Sequence, residues 1–294
     1  MNSKVWAYVG VIFAELFWAS SFVFTQQALG CFSPVTVVVC RIALATLLLL
    51  VYCIATKQLF CPTKSELKLF ALAAFFQPFV YFILEAYGLQ RVNANTASLV
   101  LALGPQMSPF LAYLILRERV SKYTFIGLPI SAIGILLIVL VGERLVLDPV
   151  GIILLVFAAV TTVLYCICLR KVDAKYKPAS IVFWIDLTSL AMFLPAWAIM
   201  DMNKPIATPE MSAVGSIVIL AVFCSVASYI FFCNAIRFIG VAKTNAFSNL
   251  IPALTPLCVW ALTGELLAWN KYIGIFVVIL GLYISQNPFK NKTL

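Results

Sequence analysis

Two stretches of this 294-residue chain decide its fold, because each reads as a proline-containing apolar helix that runs into a glutamate. The first is ALGPQMSPFLAYLILRERV, from Ala102 to Val120, and the second is NLIPALTPLCVWALTGELL, from Asn249 to Leu267. They are 147 residues apart, and at this offset their prolines coincide: Pro105 with Pro252 and Pro109 with Pro256. A match of this kind predicts an internal repeat.

The repeat continues into the helix that follows each stretch. Four glycines coincide at the same offset, Gly127 with Gly274 and Gly134 with Gly281. Elsewhere the two copies have diverged, so that Trp18 falls on Tyr165. We therefore predict two copies of one structural unit, residues 1–143 and residues 144–294.

Composition places the chain in a membrane. Hydrophobic residues make up 64% of it and charged residues 11%, whereas a soluble domain carries about 25% charged residues. The chain has no histidine, the commonest general base and metal ligand, so we expect no enzyme activity, no metal and no cofactor. The net charge of +9 would favour nucleic acid in a soluble protein, but in a membrane protein it reports orientation, and we expect no nucleic-acid partner.

Apolar runs separated by short polar breaks predict ten transmembrane helices, numbered here as spans 1 to 10. Each run is close to the roughly 20 residues that a helix needs to cross the hydrocarbon core. The spans cover residues 5–28, 34–55, 67–88, 93–116, 123–141, 149–169, 179–200, 212–235, 241–262 and 270–286. The predicted fold class is an all-α integral membrane protein.

The basic residues are divided unevenly between the two sides of the predicted spans. Four of them lie on the side opposite the N-terminus, namely Arg91, Arg144, Lys204 and Lys271, whereas Arg41 lies within span 2 and the other fifteen share the side of the N-terminus. Basic loops face the cytoplasm, so both termini are predicted to be cytoplasmic. Because each unit has five spans, an odd number, the units are predicted to be inverted five-helix repeats related by a pseudo-two-fold axis in the membrane plane.

The chain resembles the EamA-type ten-helix members of the drug/metabolite transporter superfamily over essentially its whole length. The motifs that carry the resemblance are LFWASSFVF in span 1 (Leu16 to Phe24), SPVTVVVCRIA in span 2 (Ser33 to Ala43) and the two proline-containing stretches quoted above. The sequence departs from the usual pattern at Glu15, where an apolar or small residue is typical, and at Arg117, where glycine commonly precedes the glutamate.

The resemblance implies a secondary transporter of small organic metabolites in a bacterial inner membrane, often an exporter of amino acids or related compounds. It also implies a midplane cavity formed by spans 1–4 and 6–9, which opens alternately to the two sides, with spans 5 and 10 peripheral. The main alternative is a proton-coupled exporter of drugs or organic cations. A channel would instead carry a continuous polar stripe, and the sequence leaves the oligomeric state open.

Four charged residues lie well within spans, where each costs about 2.5–3.5 kcal/mol on insertion scales: Glu15, Arg41, Glu85 and Asp186. We predict coupling or gating roles for them. Three hypotheses apply to Glu15, which would bind a substrate ammonium group, take up a coupling proton, or pair structurally with Arg41. An Arg41–Glu85 ion pair is topologically possible, and Asp186 is placed to pair with a basic residue at the inner rim.

Proline removes a backbone donor and kinks a helix, and interrupted helices at matching positions of inverted halves indicate a central site. The predicted kinks lie at Pro105, Pro109, Pro252 and Pro256. The predicted substrate site consists of polar and aromatic residues in the interrupted helices and their neighbours: Glu15, Trp18, Gln77, Tyr81, Asn95, Gln106, Tyr165, Ser228, Asn245 and Asn249. The alternative for these polar side chains is ordinary hydrogen bonding between helices.

Overall fold

The computed structural model describes residues 3–89, 91–92, 97, 100–117, 120–140, 148–172, 175–202, 210–263 and 269–286. The regular elements in these residues are α-helices at Ser3–Leu29, Pro34–Ala55, Lys64–Ala74, Tyr81–Leu89, Leu103–Leu116, Lys122–Leu140, Pro149–Lys171, Pro178–Met200, Met211–Ile219, Ser228–Ile239, Val241–Ala246, Leu250–Thr263 and Trp269–Gln286. Two π-helical segments, Phe75–Val80 and Leu220–Ala227, and a 3₁₀ turn at Phe247–Asn249 interrupt this series.

These helices coincide with the predicted spans, which confirms the all-helical membrane fold. In the described part of the chain, six helices are long and apolar enough to cross a membrane. Three further apolar helices are shorter, at Leu103–Leu116, Lys122–Leu137 and Tyr272–Ser285. The predicted boundary between the two units, at residues 143 and 144, lies outside the described residues.

Local sequence explains where several spans begin. Pro34 opens span 2 and Pro149 opens span 6, because the missing N–H of a first-turn proline would have no helical partner. The Asp148 side chain accepts the N–H of Gly151 at 2.7 Å and so caps span 6. At the start of span 3, Thr63 and Glu66 form a reciprocal capping box.

Spans 5 and 10 pack through the repeated glycines. A Cβ atom on Gly127 would overlap the carbonyl oxygen of Gly281, and one on Gly134 would lie 2.8 Å from the carbonyl oxygen of Gly274. Each of these contacts is the other's equivalent at the offset of 147 residues. Near the middle of the seam, the hydroxyl of Ser131 donates to the carbonyl of Val278 at 3.2 Å, and these two positions are themselves 147 residues apart. The pseudo-two-fold axis therefore passes between spans 5 and 10.

Spans 2 and 7 form the second pair that contacts its own equivalent, and they are joined at both ends. At one end the indole of Trp197 donates to the hydroxyl of Thr36 at 3.0 Å. At the other end the indole of Trp184 donates to the carbonyl of Phe60 at 3.1 Å.

The remaining packing obeys the same exchange of spans 1–5 with spans 6–10. Span 1 packs on span 8, as span 3 packs on span 6. Span 1 also packs on span 9, as span 4 packs on span 6. An exchange that converts each contact into another observed contact is what inverted repeats require.

Spans 3 and 8 are interrupted at equivalent depths by the two π segments. In the first segment, Phe75–Val80, Pro78 lacks a backbone donor, and Gln77 is extended, with φ −150° and ψ 127°. The second segment, Leu220–Ala227, contains no proline. Prolines are the signal for the kinks that the sequence predicts in spans 4 and 9, but the interruption of span 8 has no such signal in the sequence.

Candidate functional site

A cavity of about 420 Å³ lies between the two halves of the bundle. It reaches the bundle end at Leu29 and Val92, which we name the open end. At the other end its lining stops at Tyr165, six residues before the end of Pro149–Lys171, and at Asn245, four residues after the start of Val241–Ala246. Its wall is formed by Trp18, Ser21, Thr25, Leu29, Arg41, Gln77, Tyr81, Phe82, Glu85, Val92, Leu101, Ala102, Gly104, Pro105, Ala159, Thr162, Tyr165, Tyr229, Phe232, Asn245, Ser248, Ile251 and Pro252. A mostly apolar cavity with few polar groups is typical of a small-molecule site.

Aromatic rings form one side of the cavity, around Tyr229 of span 8. The ring of Tyr229 lies 5.2 Å from that of Trp18 and 6.1 Å from that of Tyr165, measured between centroids, and both contacts are edge-to-face. Phe232 extends the wall at 5.0 Å from Trp18. Trp18 and Tyr165 are repeat equivalents, so the two halves contribute matching rings on either side of Tyr229.

Arg41 supplies the cation of the cavity. Its Nε donates to the hydroxyl of Ser225 at 2.6 Å, and its Nη2 donates to the carbonyl of Cys224 at 3.2 Å. The guanidinium carbon lies 5.0 Å from the centre of the Phe82 ring, which is within the range of a cation–π contact. The Arg41 charge also acts electrostatically on the carboxyl groups of Glu85 and Asp186.

Glu85 supplies the carboxyl group of the cavity wall, and its oxygen accepts the hydroxyl of Tyr81 at 2.9 Å. Among the described residues, no ion pair joins Glu85 to Arg41, so the sequence-based Arg41–Glu85 pair is corrected to a longer-range attraction. The amide of Gln77 donates to the hydroxyl of Tyr229 at 3.1 Å, across the two halves of the chain. Among the described residues of its wall, the cavity thus carries Arg41 as a cation and Glu85 as an acidic group.

Glu15 lies behind this wall instead of on it. Its side chain is fully buried, one carboxylate oxygen accepts the hydroxyl of Ser248 at 3.1 Å, and the other has no hydrogen-bond partner. Ser248 itself lines the cavity, so it separates Glu15 from a bound molecule. Glu15 makes no ion pair with Arg41, which corrects the structural alternative for this residue within the described part of the chain.

The cavity is closed on the side opposite the open end. Asn245 of span 9 accepts the thiol of Cys166 at 3.2 Å and donates to the hydroxyl of Ser108 at 3.1 Å, which joins spans 4, 6 and 9. Farther along, the rings of Phe60 and Tyr176 stack at 3.7 Å. Access from that end requires these contacts to separate.

Some predicted site residues lie away from the cavity wall. Gln106 donates to the carbonyl of Leu128 in span 5 at 3.2 Å, and Ser228 donates to the carbonyl of Phe223 at 2.8 Å within span 8. Asn249 is fully buried, and neither of its side-chain polar atoms has a hydrogen-bond partner. Asn95 lies outside the described residues.

The coupling candidate Asp186 and the predicted kinks are placed as follows. Asp186 is buried with one carboxylate oxygen unpartnered, and no described basic residue forms an ion pair with it, so the predicted pairing at the inner rim is corrected. Pro105 and Pro252 line the cavity, whereas Pro109 is buried within its helix. The backbone of Pro256 is helical like its neighbours.

Sequence reasoning missed several residues of the wall. Tyr229, Phe232 and Phe82 are aromatic residues in apolar helices, where such residues carry no distinguishing signal. Ser21 and Thr162 are equally ordinary in membrane helices. The one sequence signal that could have identified wall residues is helical spacing. Ser21 and Thr25 follow Trp18 at three and seven residues, which places them on the same helical face.

A multi-pass bundle of inverted halves with a central cavity open at one end defines a membrane transporter. The EamA-like transporter family model matches this chain twice, over residues 5–140 and residues 149–286. The chain belongs to the EamA-like transporter family, and it is a transporter, not an enzyme. It therefore acts on a small-molecule substrate within a lipid bilayer.

Individual relatives cover nearly the whole chain. An uncharacterized transporter of Archaeoglobus fulgidus is 27% identical over 91% of this chain and 94% of its own length, and the uncharacterized transporter YyaM of Bacillus subtilis is 26% identical over 96% and 94%. A probable terminal-alkyne amino-acid exporter of Streptantibioticus cattleyicolor is 24% identical over 90% and 87%. A solved crystal structure superposes with a TM-score of 0.83 over 96% of this chain and 98% of its own, at 14% identity, which shows a shared fold.

Proposed function

We propose that this chain is a secondary active transporter that exports amino acids or closely related zwitterions from a bacterial cell by alternating access. The observation that carries the proposal is that a cation, Arg41, and an acidic group, Glu85, both line the same cavity in the described part of the chain without forming an ion pair with each other. The carboxylate of a zwitterion can bind the Arg41 guanidinium, and its ammonium group can bind the Glu85 carboxylate. The similarity to a probable amino-acid exporter supports the same substrate class.

The aromatic side of the cavity suits the rest of such a molecule. Trp18, Tyr229 and Phe232 present ring faces and edges around a space of about 420 Å³, which accommodates an apolar side chain. Tyr81, which donates to Glu85, keeps that carboxyl group oriented toward the cavity. The preferred substrates are therefore amino acids with apolar side chains.

Coupling to protons is the proposed energy source, with Glu15 as the exchanging group. A carboxylate with no partner on one oxygen and no access to water is costly to keep charged. Movement of the Ser248 segment away from span 1 would expose Glu15 and permit ionisation. In the orientation indicated by the basic loops, the open end faces outward, and protons would move inward as substrate moves out.

Reconstituted protein in liposomes tests the proposal. We expect saturable transport of L-leucine or L-phenylalanine that responds to an imposed pH gradient. In Glu15→Gln the response to the gradient disappears, whereas Glu210→Gln, at an exposed carboxylate before span 8, behaves as wild type. Unchanged pH dependence in Glu15→Gln removes this residue from the coupling mechanism.

The alternative function is a proton-coupled exporter of drugs or organic cations, and one observation favours it. Glu85 lies on the same cavity wall as several aromatic rings, which is the surrounding that cations prefer. Thermal-shift measurements with apolar amino acids and with tetraphenylphosphonium separate the two functions. Stabilisation by the organic cation and by none of the amino acids would replace the first proposal with the second.

A further inference from the structure

The second π segment is held by two side chains of the cavity wall. The carbonyl of Cys224 accepts the indole of Trp18 at 2.9 Å and the Nη2 of Arg41 at 3.2 Å. The next residue, Ser225, accepts the Nε of Arg41 at 2.6 Å. Arg41 and Trp18 belong to the first half of the chain and the segment to the second, so these bonds cross between the halves.

A π turn is wider than an α turn, and side chains inserted into the backbone ladder are a recognised cause of bending in helices. The Leu220–Ala227 segment has no proline to impose its shape. Bonds from Arg41 and Trp18 compete instead with the regular helical ladder for the Cys224 carbonyl. The conformation of span 8 at this point therefore depends on where the Arg41 side chain is bonded.

Arg41 binds the segment with the edge that a carboxylate would use. Nε and Nη2 form one of the two parallel N–H pairs that guanidinium offers to a carboxylate. In this structure that edge is shared between Ser225 and the Cys224 carbonyl. Phe82 lies against the guanidinium at 5.0 Å. While both N–H groups of the edge are bonded to the π segment, they are not available to a carboxylate.

We infer that Arg41 couples substrate binding to the bending of span 8 through Ser225 and the Cys224 carbonyl. In the empty cavity the Nε/Nη2 edge holds the second π segment. A carboxylate in the cavity takes over this edge and releases the segment, so that the bend already present in span 8 can change. Ser225 is a positioning residue, and the inference rests on the proposed function only in the identity of the carboxylate ligand.

Hydrogen–deuterium exchange of the full chain in nanodiscs tests the tie without any substrate. We expect Ser225→Ala to raise exchange in peptides that cover Leu220–Ala227 by about fivefold, the effect of losing one net hydrogen bond. Ser225→Thr keeps the hydroxyl and restores the wild-type rate. The matched control is Ser216→Ala, also in span 8. It removes a hydroxyl that donates to the Gln27 side chain of span 1, and it leaves the bonds of Arg41 intact.

A second arm tests the ligand. L-phenylalanine raises exchange of the same peptides in wild type, whereas phenylalaninamide, which lacks the carboxylate, does not. Unchanged exchange in substrate-free Ser225→Ala, or binding of L-phenylalanine without faster exchange, overturns the inference. Failure of every amino acid to bind, with the Ser225→Ala effect intact, refutes the proposed substrate class and supports the tie between Arg41 and span 8.

Discussion

The two π segments, Phe75–Val80 in span 3 and Leu220–Ala227 in span 8, end at positions 147 residues apart but are formed by different means. The first contains a proline, which removes a donor from its own helix. The second has donors from two other helices bonded to one of its carbonyl groups, that of Cys224. Interruptions at equivalent places of the repeat thus come from local chemistry in one half of the chain and from long-range contacts in the other.

The residues that face the two segments differ in the same way. Span 2 packs on the second segment and provides Arg41, a donor. Span 7 packs on the first segment and provides, near the equivalent position, Asp186, which is an acceptor with an unpartnered oxygen. The two halves have equivalent folds, but the second π segment is bonded to a cation, Arg41, and the first faces an acidic residue, Asp186. We therefore expect an anionic ligand to act directly on the second segment.

Arg41→Gln breaks the comparison most severely and has the largest expected effect. It removes the cation of the cavity and both bonds to the second segment, and each hydrogen bond to a charged group contributes about 1.5–3 kcal/mol. We expect amino-acid transport in liposomes to fall by about 100-fold or more. Arg41→Lys keeps the charge without the planar fork and gives an intermediate rate. Full activity of Arg41→Lys would show that charge alone is required.

Gln77→Leu loosens the first segment in place of the second. The hydrogen bond from the Gln77 amide to the Tyr229 hydroxyl is lost. We expect hydrogen–deuterium exchange of peptides that cover Phe75–Val80 to rise by about fivefold, with little change in Leu220–Ala227. Tyr229→Phe removes the same bond from the other side. The double variant resembles either single variant, because both remove one interaction. Additive effects would show that this bond is not what holds the first segment.

Asp186→Asn sharpens the comparison at the level of stability. A neutral amide replaces a buried carboxylate with an unpartnered oxygen, so the midpoint of thermal unfolding rises by about 2–4 °C. The matched control lies at the other end of span 7, where Asp201 accepts the hydroxyl of Ser33 at 2.6 Å. Asp201→Asn weakens that bond and lowers the midpoint. A lower midpoint for Asp186→Asn contradicts the account of its unpartnered oxygen.

Ser228→Ala gives the smallest effect. Its hydroxyl bonds to the Phe223 carbonyl five residues earlier, across the wide turn of the second segment. Loss of one neutral hydrogen bond costs about 1 kcal/mol, or roughly 2 °C in the unfolding midpoint. Ser189→Ala, which removes a bond to the Asp186 carbonyl within the ordinary helix of span 7, serves as the comparison. Equal exchange of Leu220–Ala227 in the two variants would argue against a role for Ser228 in this segment.

The lengths of the apolar runs and the composition were sufficient to predict the spans, because a membrane-crossing helix is recognised by the length of its apolar run. The second π segment was not predictable in this way, since one of its donors, Trp18, lies 206 residues from the carbonyl that it binds. Pro78 marks the first segment locally, but its consequence for Gln77 depends on Tyr229 in span 8. Sequence pattern reports interruptions that a helix imposes on itself and misses those imposed by neighbours.

The candidate site shows the same limit. Helical spacing placed Glu15 and Trp18 on one face, yet three residues differ by about 60° in direction, and the structure turns Trp18 to the cavity and Glu15 toward Ser248. Gln106 shares the polar character of a cavity residue, but its nearest carbonyl is that of Leu128. Which neighbour a polar side chain finds is a property of the packed bundle.

The seam between spans 5 and 10 explains why the two copies of this chain are recognisable in some places and unrecognisable in others. At Gly127 and Gly281 the backbone of one copy lies directly against that of the other, so a larger residue in either copy would be excluded by its counterpart. Trp18 and Tyr165 occupy equivalent places in the cavity wall and each contacts Tyr229, so neither residue limits the size of the other directly. The sequences of the two repeats therefore stay similar where the repeats contact each other.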